Sequence, residues 1–191
     1  MSVLITNRCI SGGGVIMESI TKSYRARITA EPGKPEVVIT REFNAPRELV
    51  FKSFTDPKIY TQFAAPRRFK MILEKFEPRN GGSYRFILKD LDGNKFANHG
   101  VYHEVLEPSL MINTFESEGL PEKGHVSLET SRFEEMPDGK TKLTIQLVFQ
   151  SVADRDGYVQ SGVEESASET FDRLDELLEK MSQKKRPRSQ R

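Results

Sequence analysis

A short segment near the end of the chain alternates between apolar and polar residues with a period of two. Within residues 141–150, Leu143, Ile145, Leu147 and Phe149 occupy alternate positions and face one side. Lys142, Thr144, Gln146 and Gln150 face the other side. Successive side chains of a strand point to opposite faces of its sheet. The segment therefore predicts a strand of an antiparallel sheet that is buried on one face and solvated on the other.

The residues that follow change to a helical period. From about residue 154 to residue 181, apolar residues recur at spacings of three and four: Val163, Ala167, Phe171, Leu174, Leu178 and Met181. Charged residues occupy most of the remaining positions. This pattern predicts one long amphipathic helix. Its apolar stripe needs a large surface to cover, and the buried face of the sheet is the candidate.

Between the start of the chain and this helix, the pattern predicts a strand, two short helices and a series of strands. Residues 37–44 are β-branched and aromatic, and Pro46 then suits the first turn of a helix. Asp56-Pro57 ends that helix and caps a second, shorter one. Strand-length segments follow at 69–76, 84–88, 96–106, 110–115 and 126–133, separated by turn signals such as Asp92-Gly93-Asn94. The fold class is predicted as α+β with about six to seven strands.

The two ends of the chain differ in composition from its centre. Residues 1–34 contain Gly12-Gly13-Gly14 and few aromatic residues, and are predicted to be a flexible lead-in. Met17 follows this glycine run and is an alternative translation start. Residues 35–181 form the predicted domain, and residues 182–191 form a basic, disordered tail in which Pro187 blocks a helix.

Composition and charge exclude several classes of protein. No apolar run approaches the roughly 18 residues of a membrane-spanning helix, so a cytoplasmic protein without a membrane span is predicted. Cys9 is the single cysteine, which rules out an internal disulfide and argues against a cysteine metal site. The tail carries five basic residues, and removing them from the net charge of +1 leaves −4 for the rest. A mildly acidic body argues against binding of nucleic acid.

Four separated segments resemble one family. They are ITREFNAPRELVFKSFTDP (39–57), NGGSYRF (80–86), GVYHEVLEPSLMINTF (100–115) and ESASETFDRLDELL (165–178). They are similar to the SRPBCC (START-like, Bet v 1-like) superfamily, in the branch related to the C-terminal domain of the Aha-type activator of the heat-shock chaperone ATPase. The resemblance covers about residues 36–181. It implies a helix-grip fold, in which a curved antiparallel sheet wraps around the long C-terminal helix and encloses a deep cavity.

The same resemblance implies ligand binding in many members and catalysis in only some, with no shared catalytic residues. We therefore predict no catalytic residue, no metal and no cofactor. His99 and His103 are four residues apart on one strand, about 13 Å apart, which is too far for one metal ion. Relatives often have two tryptophans where this chain has Phe63-Ala64, and larger residues at Val163 and Ala167. These differences predict a wider cavity, unless neighbouring residues repack to fill the space.

Aromatic and polar positions supply the candidate ligand contacts. The predicted ligand-binding residues are Phe63, Phe69, Tyr84, Phe86, His99, Tyr102, Phe115, Phe149, Val163, Ala167 and Phe171. Tyr84, Tyr102, His99 and Asn113 are the candidates for polar groups that orient the ligand. The sequence pattern leaves open which face of the strands within 98–113 points inward.

Three functions agree with these features. The first is a non-enzymatic protein, monomeric or homodimeric, that binds or senses a lipid-like or polycyclic aromatic molecule. The second is a cyclase or hydrolase that uses the same cavity, with a histidine or tyrosine as its acid or base. The third is a co-chaperone that stimulates a chaperone ATPase, which would place the protein in the stress response.

Overall fold

The computed structural model describes residues 26–185, which form eight strands and four helices. The strands are β1 (Arg27–Thr29), β2 (Glu36–Phe43), β3 (Lys70–Phe76), β4 (Ser83–Lys89), β5 (Lys95–Leu106), β6 (Leu110–Ser117), β7 (Ser127–Met136) and β8 (Lys140–Val148). The helices are α1 (Arg47–Thr55), α2 (Pro57–Phe63), α3 (Val152–Gln160) and α4 (Val163–Lys185). None of these helices combines the length and hydrophobicity needed to cross a membrane.

All eight strands belong to one open antiparallel sheet. Their order is β1-β2-β8-β7-β6-β5-β4-β3. The alternation predicted for β8 is confirmed, since Leu143 and Leu147 are buried and Leu147 lies directly opposite the buried Val37 of β2. Side chains from β2 and from β4 line the same internal cavity, so the sheet is strongly curved. The predicted α+β helix-grip architecture is confirmed.

The short helices follow the predicted chemistry. Pro46 directly precedes α1, and the Asp56 side chain accepts a hydrogen bond of 2.9 Å from the backbone N–H of Lys58 at the start of α2. On the inner side, the rings of Phe51 and Phe133 meet edge to face with centroids 5.2 Å apart. This contact packs α1 against β7.

The predicted long C-terminal helix is confirmed as α4, but its predicted start near residue 154 is wrong, because α3 and α4 are separate. Ser161 ends α3, and its backbone N–H donates a hydrogen bond of 3.1 Å to the carbonyl of Gly157. Gly162 follows with φ +83, a left-handed conformation that glycine adopts without steric cost. The apolar stripe of α4, which includes Phe171, Leu174 and Leu178, still packs on the sheet.

The ends of the domain also differ from the prediction. Residues 27–29 fall within the predicted lead-in, but they pair with β2 and add an eighth strand to the expected six to seven. The last helix continues to Lys185, four residues beyond the predicted end of the domain. The predictions for residues 1–25, which include Met17, and for residues 186–191 lie outside the described residues.

A buried arginine anchors α4 to the sheet. Arg41 of β2 is only 3% exposed, and its Nη2 forms salt bridges with Asp172 at 2.8 Å and with Asp175. Burial raises the pKa of Asp175 above its usual value, and the hydrogen bond from Arg41 opposes that rise. The pair of acids on α4 therefore sets the position of the helix across β2.

Candidate functional site

An internal cavity of ≈ 290 Å³ lies between the curved sheet and the helices. Its walls come from β2, from β4 to β8 and from all four helices, with Phe54 as the contribution of α1. The volume is at the lower end of the range typical of small-molecule sites. Aromatic and aliphatic side chains form most of the lining, a composition that is common in ligand pockets.

Eight of the eleven predicted ligand-binding residues are brought together around this cavity. They are Phe63, Tyr84, Phe86, Tyr102, Phe115, Val163, Ala167 and Phe171. Asn113, which was named as a polar candidate, lines it as well. The inward face of the strands within 98–113 is therefore the one that carries Asn98, Tyr102 and Asn113.

Three predicted residues do not line this cavity. His99 lies between the buried residues Asn98 and Gly100 on β5, so it points to the outer face. Its side chain is 44% exposed, and its Nε2 is 3.4 Å from Glu116. Phe69 precedes β3 and packs edge to face on Phe96, with centroids 5.9 Å apart.

Phe149, the third of them, lines a different cavity. It follows the end of β8, where the inward alternation stops, and its ring lies 5.1 Å from that of Tyr158. The two rings border an outer cavity of ≈ 540 Å³ between α3 and the segment that joins β6 to β7. Phe115 and Tyr158 line both cavities, so these two side chains form the partition between them.

A histidine and an aspartate close one side of the outer cavity. His125 Nδ1 is 2.8 Å from Oδ1 of Asp154 on α3. The pKa of Asp154 is lowered, first by its hydrogen bond from Ser151 and then by the one from His125. The contact holds the segment between β6 and β7 against α3.

The inner cavity contains a carboxylate that the sequence analysis missed. Glu129 lies on β7 between Ser127 and Ser131, and all three side chains point inward. It is half-buried and lines the cavity. Burial raises the pKa of Glu129, and a hydrogen bond from Asn113 lowers it in part.

A polar network fixes the position of this carboxylate. Asn113 is directly opposite Glu129 in the β6–β7 ladder, and its Nδ2 donates to Glu129 Oε2 at 2.9 Å. The same Nδ2 is 3.3 Å from the hydroxyl of Tyr84. That hydroxyl donates to the carbonyl of Thr114 at 2.8 Å. The network spans β4, β6 and β7.

Gly100 is required for this arrangement. A Cβ at that position would lie 1.9 Å from the carbonyl oxygen of Thr114 and 2.7 Å from the hydroxyl of Tyr84. Any larger residue would displace the tyrosine or separate the strands. The glycine in the quoted GVYHEV segment is therefore explained by close packing of the cavity wall.

Four tyrosines contribute to the cavity around Glu129: Tyr60, Tyr84, Tyr102 and Tyr158. Burial raises the pKa of every one of these phenols, and the negative charge of Glu129 raises each further. They remain protonated at neutral pH and can donate hydrogen bonds. Tyr60, Tyr102 and Tyr158 were not recognised as a group from the sequence, because they lie on three different elements.

Basic groups and metal-binding clusters are missing from this site as far as residues 26–185 define it. The Lys, Arg and His side chains of residues 26–183 do not line the inner cavity. No three His, Cys, Asp or Glu side chains in the same segment are grouped so as to hold a metal ion. The site offers hydrogen bonds, aromatic faces and one carboxylate.

Comparison with solved structures identifies the same fold in bacterial proteins. A protein from Rhodobacter sphaeroides matches with a TM-score of 0.73 at 22% identity, over 81% of this chain and 97% of that chain. A protein from Mycobacterium smegmatis matches with a TM-score of 0.71 at 24% identity, over 81% and 98%. The AHSA1 protein from Silicibacter pomeroyi matches with a TM-score of 0.62 at 17% identity, over 75% and 96%. These identities support a shared fold alone.

The comparison with protein families is more specific. No match was found among curated proteins. The family model described as Activator of Hsp90 ATPase homolog 1-like protein matches residues 44–179. Its fold is compatible with ligand binding and with activation of a chaperone ATPase. The matched segment is well over half of the chain and agrees with the predicted resemblance, so the chain belongs to the Activator of Hsp90 ATPase homolog 1-like family.

Proposed function

We propose that this protein binds a small, mainly hydrophobic molecule in the inner cavity without chemically changing it. The observation that carries the proposal is an internal space of ≈ 290 Å³ with mostly aromatic walls and a small set of fixed polar groups. Binding there would remove apolar ligand surface from water, at about 25 cal/mol for each Å². The volume favours a compact lipid-like or fused-ring aromatic molecule.

The small side chains on α4 support the same function. Val163 and Ala167 face the cavity, together with the larger Phe171. A well-packed core leaves few voids larger than a water molecule. A space of this size behind two small residues therefore supports ligand binding rather than a filled core.

The chemistry of the cavity favours binding over catalysis by the groups first considered. His99 lies on the outer face, and His125 lies in the outer cavity. The buried phenols have raised pKa values and cannot act as bases near neutral pH. An enzyme of the cyclase or hydrolase kind would instead depend on Glu129, and loss of turnover in Glu129→Gln would identify one.

Thermal unfolding against a panel of lipids, flavonoids and fused-ring aromatics tests the proposal. A ligand at 100 times its Kd adds roughly 2.7 kcal/mol of stability. Ala167→Phe should fill the cavity and abolish the shift that the wild-type protein shows. Glu179→Phe places the same ring at an exposed position of α4 and should keep the shift. Equal shifts in the wild-type protein and in Ala167→Phe would place the ligand elsewhere and refute the proposal.

The family supports a second candidate function. Its description names an activator of the Hsp90 ATPase, so the chain is also a candidate co-chaperone. The test is the ATPase rate of purified Hsp90 with and without the protein. Stimulation that Ala167→Phe leaves unchanged would support a co-chaperone whose activity does not need the cavity.

A further inference from the structure

The inner cavity contains a carboxyl group without a basic partner. Among the side chains of residues 26–183, Glu129 has no salt-bridge partner, and its one side-chain hydrogen bond comes from Asn113 to Oε2. Its Oε1 accepts no hydrogen bond from the described part of the chain. This oxygen is free to accept a hydrogen bond from a molecule in the cavity.

An unpaired carboxylate is costly in an apolar cavity. A buried charge is stable when it is paired and hydrogen-bonded, and otherwise the group tends to take up a proton. The raised pKa of Glu129 agrees with this expectation. A cation that enters with the ligand would provide the missing partner.

The aromatic groups beside Glu129 also suit a cation. The rings of Tyr84 and Tyr102 are tilted against each other with centroids 5.2 Å apart. Tyr60 stacks on Phe76 at 5.1 Å, and Phe76 meets Tyr102 edge to face at 6.4 Å. Aromatic faces attract ammonium groups, most strongly where water is excluded. The hydroxyls are neutral and cannot repel a cation.

We infer that the ligand is a hydrophobic amine, whose protonated nitrogen is bound by Glu129 and whose apolar body lies against the aromatic walls. This inference rests on the proposed function and specifies its ligand class. A carboxylic acid of the same shape would be repelled by Glu129. An alcohol of the same shape would bind, but without the attraction between charges.

Three naphthalene derivatives of nearly equal size test this inference by isothermal titration calorimetry. They are 1-naphthylmethylamine, 1-naphthylmethanol and 1-naphthoic acid. For the wild-type protein at neutral pH, the amine should bind at least about tenfold more tightly than the alcohol. The acid should bind most weakly.

Two variants test whether the preference for the amine depends on Glu129. Glu129→Gln keeps the size and the hydrogen bond with Asn113 but removes the charge, so the preference for the amine should disappear while the alcohol binds as before. Glu134→Gln makes the same change on the outer face of β7 and should keep the preference. If Glu129→Gln fails to fold, the order of affinity of the three probes for the wild-type protein still tests the amine inference.

The outcomes separate the two proposals. An alcohol that binds as tightly as the amine overturns the amine inference and keeps the proposed function. An amine preference that survives in Glu129→Gln also overturns the inference. Failure of all three probes to bind counts against both proposals.

Discussion

Asn113 and Glu129 lie directly opposite each other on β6 and β7, and Nδ2 of the asparagine donates a 2.9 Å hydrogen bond to the carboxylate. Each of these two side chains provides one of the hydrogen bonds that the other needs inside an apolar cavity. Removing one partner leaves a buried polar group unsatisfied, whereas removing both does not. The pair therefore has a measurable coupling.

A double-mutant cycle measures that coupling. Asn113→Leu should lower the free energy of unfolding by about 1–3 kcal/mol, because Glu129 and the hydroxyl of Tyr84 both lose a donor. Adding Glu129→Met to Asn113→Leu should recover part of this loss. Urea unfolding of the four proteins gives the result. Strictly additive effects would show that the two side chains do not interact in solution.

Glu129 should make the stability of the unliganded protein depend on pH. Folding raises the pKa of this carboxyl above its ordinary value of 4.5. Between the unfolded and the folded pKa of Glu129, the folded state binds more protons than the unfolded state. The stability that Glu129 contributes is therefore lost as pH rises through its folded pKa. The four tyrosines around it stay protonated in that range.

Comparison with Glu129→Gln isolates the contribution. The variant cannot lose a proton, so it should melt at a higher temperature than the wild-type protein at about pH 8 and show a smaller difference at about pH 4. Thermal unfolding by circular dichroism measures both. Glu134→Gln, on the solvated face of the same strand, should show no such trend. A gap that widens toward low pH would contradict the burial of Glu129.

The affinity for an amine should depend on the same titration of Glu129, but it should rise with pH where the stability of the unliganded protein falls. As pH rises through the pKa of Glu129, the carboxylate becomes charged while a primary alkyl amine stays protonated. The affinity for 1-naphthylmethylamine should therefore increase as pH rises through the raised pKa of Glu129. The affinity for 1-naphthylmethanol should stay nearly constant, and parallel changes for both probes would exclude a role for the Glu129 charge.

The sequence predicted most of the architecture but not the chemistry of the cavity. The alternation in β8 and the Asp56-Pro57 signal reported directly on burial and on capping, which are local effects. Glu129 was missed because its neighbour Leu128 is 41% exposed on the outer face, which inverts the usual pattern of apolar residues inside. His99 was misplaced for a related reason, since β5 has no clear alternation to fix its face.

The break between α3 and α4 illustrates a second limit. Apolar spacing reports which side of a helix is buried, and a stripe can continue past a break. Ser161-Gly162 was the available signal, because glycine after the last helical residue commonly adopts a left-handed conformation. The strand β1 offered no comparable signal, since three residues are too few to show an alternation.

Arg41 should be more tolerant of replacement than its acidic partners. Arg41 is 3% exposed, whereas the side chains of Asp172 and Asp175 are 54% and 32% exposed. Replacing both acids by asparagine leaves a buried charge without a partner and should cost roughly 3–5 kcal/mol. Arg41→Met leaves two acids that can reach water, so its cost should be smaller. Chemical unfolding gives both values, and the reverse order would show that α4 does not need the buried charge to be paired.

Tyr158 should control the exchange of ligand between the inner cavity and the outside. Its side chain separates the inner cavity from the outer one, and its ring packs on Phe149 with centroids 5.1 Å apart. Tyr158→Ala should join the two cavities and increase both the association and the dissociation rates of a bound probe several-fold. The loss of the aromatic pair should cost at least about 0.5–1.5 kcal/mol of stability.

Stopped-flow fluorescence with 1-naphthylmethanol measures these rates. Val159→Ala truncates the next residue of α3, which is exposed, and serves as the matched control. If the rates of Tyr158→Ala equal those of the control, the ligand enters by another path. Larger aromatic probes that bind only to Tyr158→Ala would show that the partition also limits ligand size, because the outer volume of ≈ 540 Å³ would then be added to the inner one.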